Sequence, residues 1–189
     1  MNKFFAFIYR MKYISRWSLM RNTRSENLAE HSFHVSVLAH ALAVISRDVF
    51  GNDINPERAA TCALYHDMPE ILTGDLPTPI KYYGKEIKDA YKKIEAEAAD
   101  KILATLDEKI RGGVSEGAAC EDEIISKIIK AADKLDAYIK CREEMNAGNR
   151  DFARAEKQTL EALEKMNLPE VSYFMENYID AFNMTVDEL

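Results

Sequence analysis

The sequence predicts an all-α protein on three observations: apolar residues recur at three- and four-residue spacing, no stretch alternates long enough for a strand, and helix caps separate the apolar runs. At 189 residues the chain can bury a substantial core, and no compositional shift divides it, so one domain over 1–189 is expected. Phe4 to Met11 form a first apolar helix, too short for a membrane span and without a signal-peptide cleavage pattern. Asn27 with Glu30 three residues on resembles a capping box that opens a long helix through Phe50. Asn55-Pro56-Glu57 is an N-cap with proline in the first turn, starting a helix that runs to about His66.

Met68 to Leu72 suit one short helical turn, and Thr73-Gly74-Asp75-Leu76-Pro77-Thr78-Pro79 carries too many breakers to be regular. A charged amphipathic helix follows from about Lys85 to Leu106. Arg111-Gly112-Gly113 through Cys120 is expected to be a flexible connection. A long helix then runs from about Glu121 to Ala147 and stops at Gly148. Two more, Phe152 to Met166 and Pro169 to Phe182, bring the expected count to about seven.

The net charge of -7 argues for solubility and against a broad basic face for a phosphate backbone, so a nucleic-acid polymer is not expected as partner. Cys62, Cys120 and Cys141 are odd in number and show no CxxC spacing. They read as reduced and structural, consistent with a cytoplasmic protein and no membrane association.

Four side chains on separate apolar helices stand out as potential metal ligands: His31, the adjacent pair His66 and Asp67, and the distant Asp133. Asp133 interrupts the four-residue row Ile125, Ile129, Asp133, Ala137, with Lys130 and Asp136 flanking it. An ionised carboxylate in such a row is costly unless paired or bound to metal; the alternative is a surface aspartate paired with Lys130 or Lys134. His66-Asp67 ends an apolar helix, and Glu70 shares a side with Asp67 if the turn stays helical. The competing reading there is a core histidine with a capping aspartate. His34 lies one turn beyond His31, close enough in angle to touch substrate or anchor His31, whereas His40 faces away.

Two imidazoles and two carboxylates suit one divalent ion such as cobalt, manganese, zinc or magnesium, and the chemistry that follows is metal-assisted hydrolysis. Such a site needs a carboxylate for the water and a cation for a phosphate. Glu70 and Arg16 are the candidates. No glycine-rich phosphate loop and no nucleophilic-serine motif competes.

These residues carry a resemblance. The pattern of His31, His66-Asp67 and Asp133 is similar to the signature of the HD-domain phosphohydrolases. The segments Arg16-Trp17-Ser18-Leu19-Met20-Arg21, Glu30-His31-Ser32, Glu70 through Pro79 and Ala137 through Cys141 narrow it to the bacterial HD-domain 5′-deoxynucleotidases. The resemblance implies an HD-domain helical bundle, a homodimer, and hydrolysis of deoxyribonucleoside 5′-monophosphates to deoxyribonucleoside and phosphate. It implies that His31, His66, Asp67 and Asp133 bind the metal, that Asp67 and Asp133 also meet substrate, and that Glu70, Asp67 and Arg16 are catalytic. Glu70 would position the water and Arg16 the phosphate. Trp17 would fill the place of a ribose 2′-hydroxyl, which would lose water there without gaining a partner. Asp75, Leu76, Pro77 and Thr78 would line the sugar and base pocket.

Two features depart from that family's pattern: Met68-Pro69 between Asp67 and Glu70, and His34. Two other functions compete. An HD-type nucleoside triphosphate triphosphohydrolase or cyclic-nucleotide phosphodiesterase would keep the metal, but triphosphate binding calls for more basic residues than Arg16, Arg21, Arg24 and Lys81 provide. A non-catalytic nucleotide-sensing module would have no use for Glu70 beside an open metal position.

Overall fold

The computed structural model describes residues 1–77, 80 and 83–189; the expectations for Thr78, Pro79 and Lys81 fall outside them. Among the described residues all regular structure is helical, apart from one antiparallel bridge between Ser15 and Asn27. The α-helices are α1 (Phe4–Ile8), α2 (Leu28–Asp48), α3 (Pro56–Tyr65), α4 (Glu70–Thr73), α5 (Lys85–Leu103), α6 (Glu108–Ala118), α7 (Glu123–Asn146), α8 (Ala153–Met166) and α9 (Pro169–Asn177). Short 3-10 turns at Tyr9–Tyr13, Arg150–Phe152 and Ile179–Asn183 extend α1, lead into α8 and follow α9.

The caps read from the sequence are in place. Asn27 accepts from the backbone N–H groups of Ala29 and Glu30, and the Glu30 carboxylate accepts from Asn27 N–H, completing the capping box. Asn55 accepts from Arg58 N–H before the proline-led first turn of α3. Asp122, which sequence reasoning did not single out, caps α7, and two residues after the last residue of that helix Gly148 has φ +83°, a left-handed conformation that glycine adopts without steric cost.

The segment from Arg111 to Cys120 corrects the sequence expectation. Most of it is not a flexible connection but belongs to α6, capped by Asp107 through Lys109 N–H. Gly112 and Gly113 weaken that helix intrinsically, and tertiary packing on α3 overrides the penalty. Gly117 lies close against α3: a Cβ there would sit 3.3 Å from Thr61 Cγ2, a tight contact that would need the threonine to shift by a few tenths of an ångström. Arg58 Nη2 also donates to the Ala119 carbonyl, tying the end of α6 back to α3.

The main core packs α2 against α3 and α7 through Val35, Ala39 and Leu42, Ala59 and Ala63, and Ile128, Ala132 and Leu135. Although α2 is apolar and long enough to span a bilayer, these buried residues make it the central helix of the bundle. A smaller cluster of Phe4, Met11, Leu28, Met68, Ile71, Ile102 and Leu106 packs α1, α4 and α5 around the start of α2. The two clusters flank the first turn of α2, where His31 lies.

Candidate metal centre

His31 is entirely buried in the first turn of α2 and points between the end of α3 and the middle of α7. Its Nε2 lies 3.4 Å from Asp67 Oδ2 and 3.3 Å from Asp133 Oδ1. His66, the C-cap of α3, places Nε2 3.2 Å from the same Asp67 oxygen. The donor atoms of His31, His66 and Asp133 all lie within 4.8 Å of one another. The structure therefore brings together the four residues singled out in the sequence. Asp133, with 38% of its side chain exposed, marks the open side of the cluster.

The far nitrogen of each ring decides what the near one offers. His66 Nδ1 donates to the Ala63 carbonyl at 2.7 Å, and His31 Nδ1 donates to Asp136 Oδ2 at 2.7 Å. With Nδ1 protonated, each neutral ring presents a lone pair at Nε2, and both Nε2 atoms are buried without a hydrogen-bond partner. Two lone pairs and two carboxylates converging on one space repel one another, and a cation removes that repulsion. The donor set thus fits a divalent ion with imidazole and carboxylate ligands and an open side for further oxygen ligands.

Charge on the cluster follows from the same contacts. When no cation is bound, protons on the histidines take its place: against the downward push of burial, the carboxylates raise the pKa of His31 and His66. Burial pushes the Asp67 carboxyl upward, but the charged His66 and His31 overcome it and hold Asp67 well below the usual carboxylate range. Burial likewise raises Asp133, and the hydrogen bond that a protonated His31 can donate reverses the effect, giving a net lowering when no cation is bound. Asp136 is pushed up by burial and drawn down further by His31 and His34, to about 2.

Arg16 approaches from the segment before α2. Its Nη1 is 3.7 Å from Asp67 Oδ2, and its Nε donates to Glu26 Oε2 at 3.1 Å. Burial opposes its charge, yet Asp133, Glu26, Asp67 and Asp75 raise its pKa above the free guanidinium's. Trp17 donates from Nε1 to the same Glu26 oxygen at 3.0 Å and packs on Phe152 at a ring separation of 5.3 Å. Its φ of 57° is left-handed, an uncommon conformation for a bulky residue, which persists when its surroundings over-determine it. Behind this segment, Glu144 accepts from Thr23 N–H and Oγ1, Arg24 N–H, Asn149 and Lys140.

Glu70 is buried as the first residue of α4. Met68-Pro69 does not disturb it: Met68 is a core side chain, and Pro69 has a helical φ of -58° with Glu70 N–H donating to Asp67 O at 3.0 Å. Asp75 lies close enough to act on Arg16, and Leu76 and Pro77 follow it half-buried. Thr78 lies outside the described residues. Sequence reasoning gave no role to Glu26 and saw Asp136 only as a neighbour of Asp133. Three-residue spacing on one helix was the available signal for Asp136; for Glu26 there was none beyond its position before the capping box. His34 is not in the cluster of His31, His66, Asp67 and Asp133; its Nδ1 lies 3.4 Å from Asp136 Oδ1.

Comparison with known proteins gives a consistent picture. The sequence model of a family described as "5′-deoxynucleotidase YfbR-like" matches residues 3–182. A 5′-deoxynucleotidase of Vibrio parahaemolyticus is 47% identical over 191 residues, covering 98% of this chain and 97% of the relative. The Salmonella paratyphi B protein 5′-deoxynucleotidase YfbR is 44% identical over 190 residues, covering 98% and 94%. Among solved structures, an HD-domain phosphohydrolase from Listeria innocua superposes with a TM-score of 0.81 at 21% identity, covering 95% of this chain and 88% of that one. The HD phosphohydrolase of cyanophage S-2L, solved with dA and one catalytic Zn2+ ion, has a TM-score of 0.67 at 22% identity and covers 93% and 95%. At those identities the two structures establish the all-α HD fold.

Proposed function

The chain belongs to the 5′-deoxynucleotidase YfbR-like family, and on that premise we propose that its buried histidine and aspartate cluster hydrolyses deoxyribonucleoside 5′-monophosphates to deoxyribonucleoside and phosphate. It is a metal-dependent phosphomonoesterase, with residues 1–189 acting as one HD-domain unit. The observation that carries this reading is the convergence of His31 Nε2 and His66 Nε2 on Asp67 and Asp133 beside Arg16.

In this reading His31, His66, Asp67 and Asp133 hold one divalent ion, with cobalt, manganese, zinc and magnesium all compatible with the donor set. When bound, the metal supplies positive charge that acidifies water and neutralises phosphate. Arg16 grips the phosphate with the terminal end of its guanidinium, since Nε is committed to Glu26. Asp67 and Asp133 border the phosphate as well as the metal. Glu70 orients the attacking water and accepts its proton at the carboxylate, a role its burial suits by keeping bulk water from competing.

Trp17 sets sugar selectivity by presenting its indole to C2′: a 2′-hydroxyl there would be desolvated without a partner. The strained φ and the two anchors, Glu26 and Phe152, support a ring held in one place. Asp75, Leu76, Pro77 and Thr78 contribute to the sugar and base pocket. Exposed Phe33 and Val37 on α2 support a homodimer, and three free cysteines support a reducing, cytoplasmic setting.

Two variants separate the roles. Asp133→Ala should lose both bound metal and turnover, whereas Glu70→Ala should keep the metal and lose nearly all turnover. Full metal occupancy in Asp133→Ala removes Asp133 from the ligand set, and wild-type turnover in Glu70→Ala removes Glu70 from the mechanism.

A further inference from the structure

Asp136 sits on α7 one turn beyond Asp133, is 4% exposed, and uses both carboxylate oxygens on imidazoles of α2. Oδ2 accepts from His31 Nδ1 at 2.7 Å, and Oδ1 lies 3.4 Å from His34 Nδ1. The first contact dictates the ring's chemistry. A carboxylate at 2.7 Å requires a proton on Nδ1, so in the neutral ring that a metal would bind, the Nε2 facing Asp67 and Asp133 is a lone pair held at one angle. His66 is backed differently, by the neutral carbonyl of Ala63. A carboxylate behind an imidazole raises the ring's basicity as a ligand more than a carbonyl does, so His31 is the stronger of the two nitrogen donors.

The second contact fixes the carboxylate itself. With Oδ2 engaged by the buried His31 and Oδ1 facing the half-exposed His34, the Asp136 side chain is held from both ends. His34, one turn after His31, thereby gains a reason.

We propose that Asp136 is a positioning residue for the metal centre: it locks His31 in the tautomer and orientation that direct Nε2 at the ion, and His34 steadies it from the surface. The inference rests on the reading of His31 as a metal ligand.

The test is titration of metal-stripped full-length protein with cobalt(II), followed by visible absorption and by competition with a chelator. Asp136→Ala should weaken cobalt binding about 10- to 100-fold. Asp136→Asn keeps an acceptor oxygen but not the charge, and should also bind cobalt more weakly than wild type while conserving shape. His34→Ala should weaken binding less than Asp136→Ala. If Asp136→Ala does not fold, Asp136→Asn carries the test, with thermal unfolding of the metal-free protein as the check on folding.

Folded Asp136 variants that bind cobalt with wild-type affinity and an unchanged spectrum overturn the proposal. His31→Ala separates it from the reading beneath it. Loss of cobalt in His31→Ala with normal binding in the Asp136 variants defeats only the role of Asp136, whereas normal cobalt binding in His31→Ala defeats the metal site as drawn. A second cobalt equivalent in wild type that disappears in Asp136→Ala would place an ion on the Nδ1 side of His31 and would equally overturn the proposal.

Discussion

Removing the Glu26 carboxylate should damage specificity far more than stability. One oxygen, Oε2, accepts from both Arg16 Nε at 3.1 Å and Trp17 Nε1 at 3.0 Å, so Glu26→Ala releases two side chains at once. A hydrogen bond to a charged group contributes roughly 1.5–3 kcal/mol, but a donor that reaches water recovers most of that. Trp17 is only half-buried, and Arg16 keeps Asp67 at 3.7 Å. The backbone of the segment is held independently by Arg16 N–H on Glu26 O at 3.0 Å and Leu28 N–H on Ile14 O at 2.9 Å. The loss of folding stability should therefore be about 1–2 kcal/mol, near the middle of the range for single substitutions.

Activity has no such buffer. With its anchor gone, Trp17 can relax from a left-handed conformation that costs on the order of 1–3 kcal/mol, and Arg16 loses the contact that aims its terminal nitrogens. A displacement of about 1 Å in a substrate-positioning group costs around 100-fold in rate. Glu26→Ala should lower kcat/KM for deoxyribonucleotides by about that factor and narrow the deoxy-to-ribo ratio. Glu26→Gln, whose amide oxygen can accept both bonds, should retain most of the selectivity. Chemical denaturation gives the stability term, and phosphate release from paired substrates gives the ratio. A folded Glu26→Ala protein with wild-type rate and ratio would refute the coupling of Arg16 and Trp17 through this carboxylate.

Trp17→Ala should admit ribonucleoside 5′-monophosphates, raising their kcat/KM relative to the deoxy series; selectivity that survives the change would place the filter elsewhere. Glu144 is held down to about 2 by Lys140, Asn149 and Thr23 against the upward push of burial, compared with an ordinary 4.5. Since its folded pKa is the lower one, its contribution is complete above pH 4.5 and disappears as the pH falls toward 2. Glu144→Gln should flatten the acid limb of the stability curve in that window, and an unchanged limb would deny the network its role.

The cluster of His31, His66, Asp67 and Asp133 was legible because its chemistry is conspicuous: a carboxylate in an apolar helical row and a histidine-aspartate pair at a helix end are costly without a partner. Caps at Asn27 and Asn55 were legible for the same local reason, since each satisfies backbone groups within three residues. What escaped was set by distant neighbours. The helix over Gly112 and Gly113 forms because α3 lies against it, and Gly117 contributes by lacking a side chain that would crowd Thr61. Asp136 meets His31 across 105 residues, and whether it faces that ring or water depends on how α7 packs on α2. Glu26 gains meaning only once the 14–27 segment folds back on itself through the Ser15–Asn27 bridge.

The most direct measurement is phosphate release from matched deoxyribonucleoside and ribonucleoside 5′-monophosphates by metal-stripped protein, before and after reloading separately with cobalt, manganese, zinc and magnesium. The account predicts no release from the stripped protein and release from the deoxy series, in preference to the ribo series, once a suitable ion is restored. Release that needs no metal, or none with any of the four ions, would contradict it.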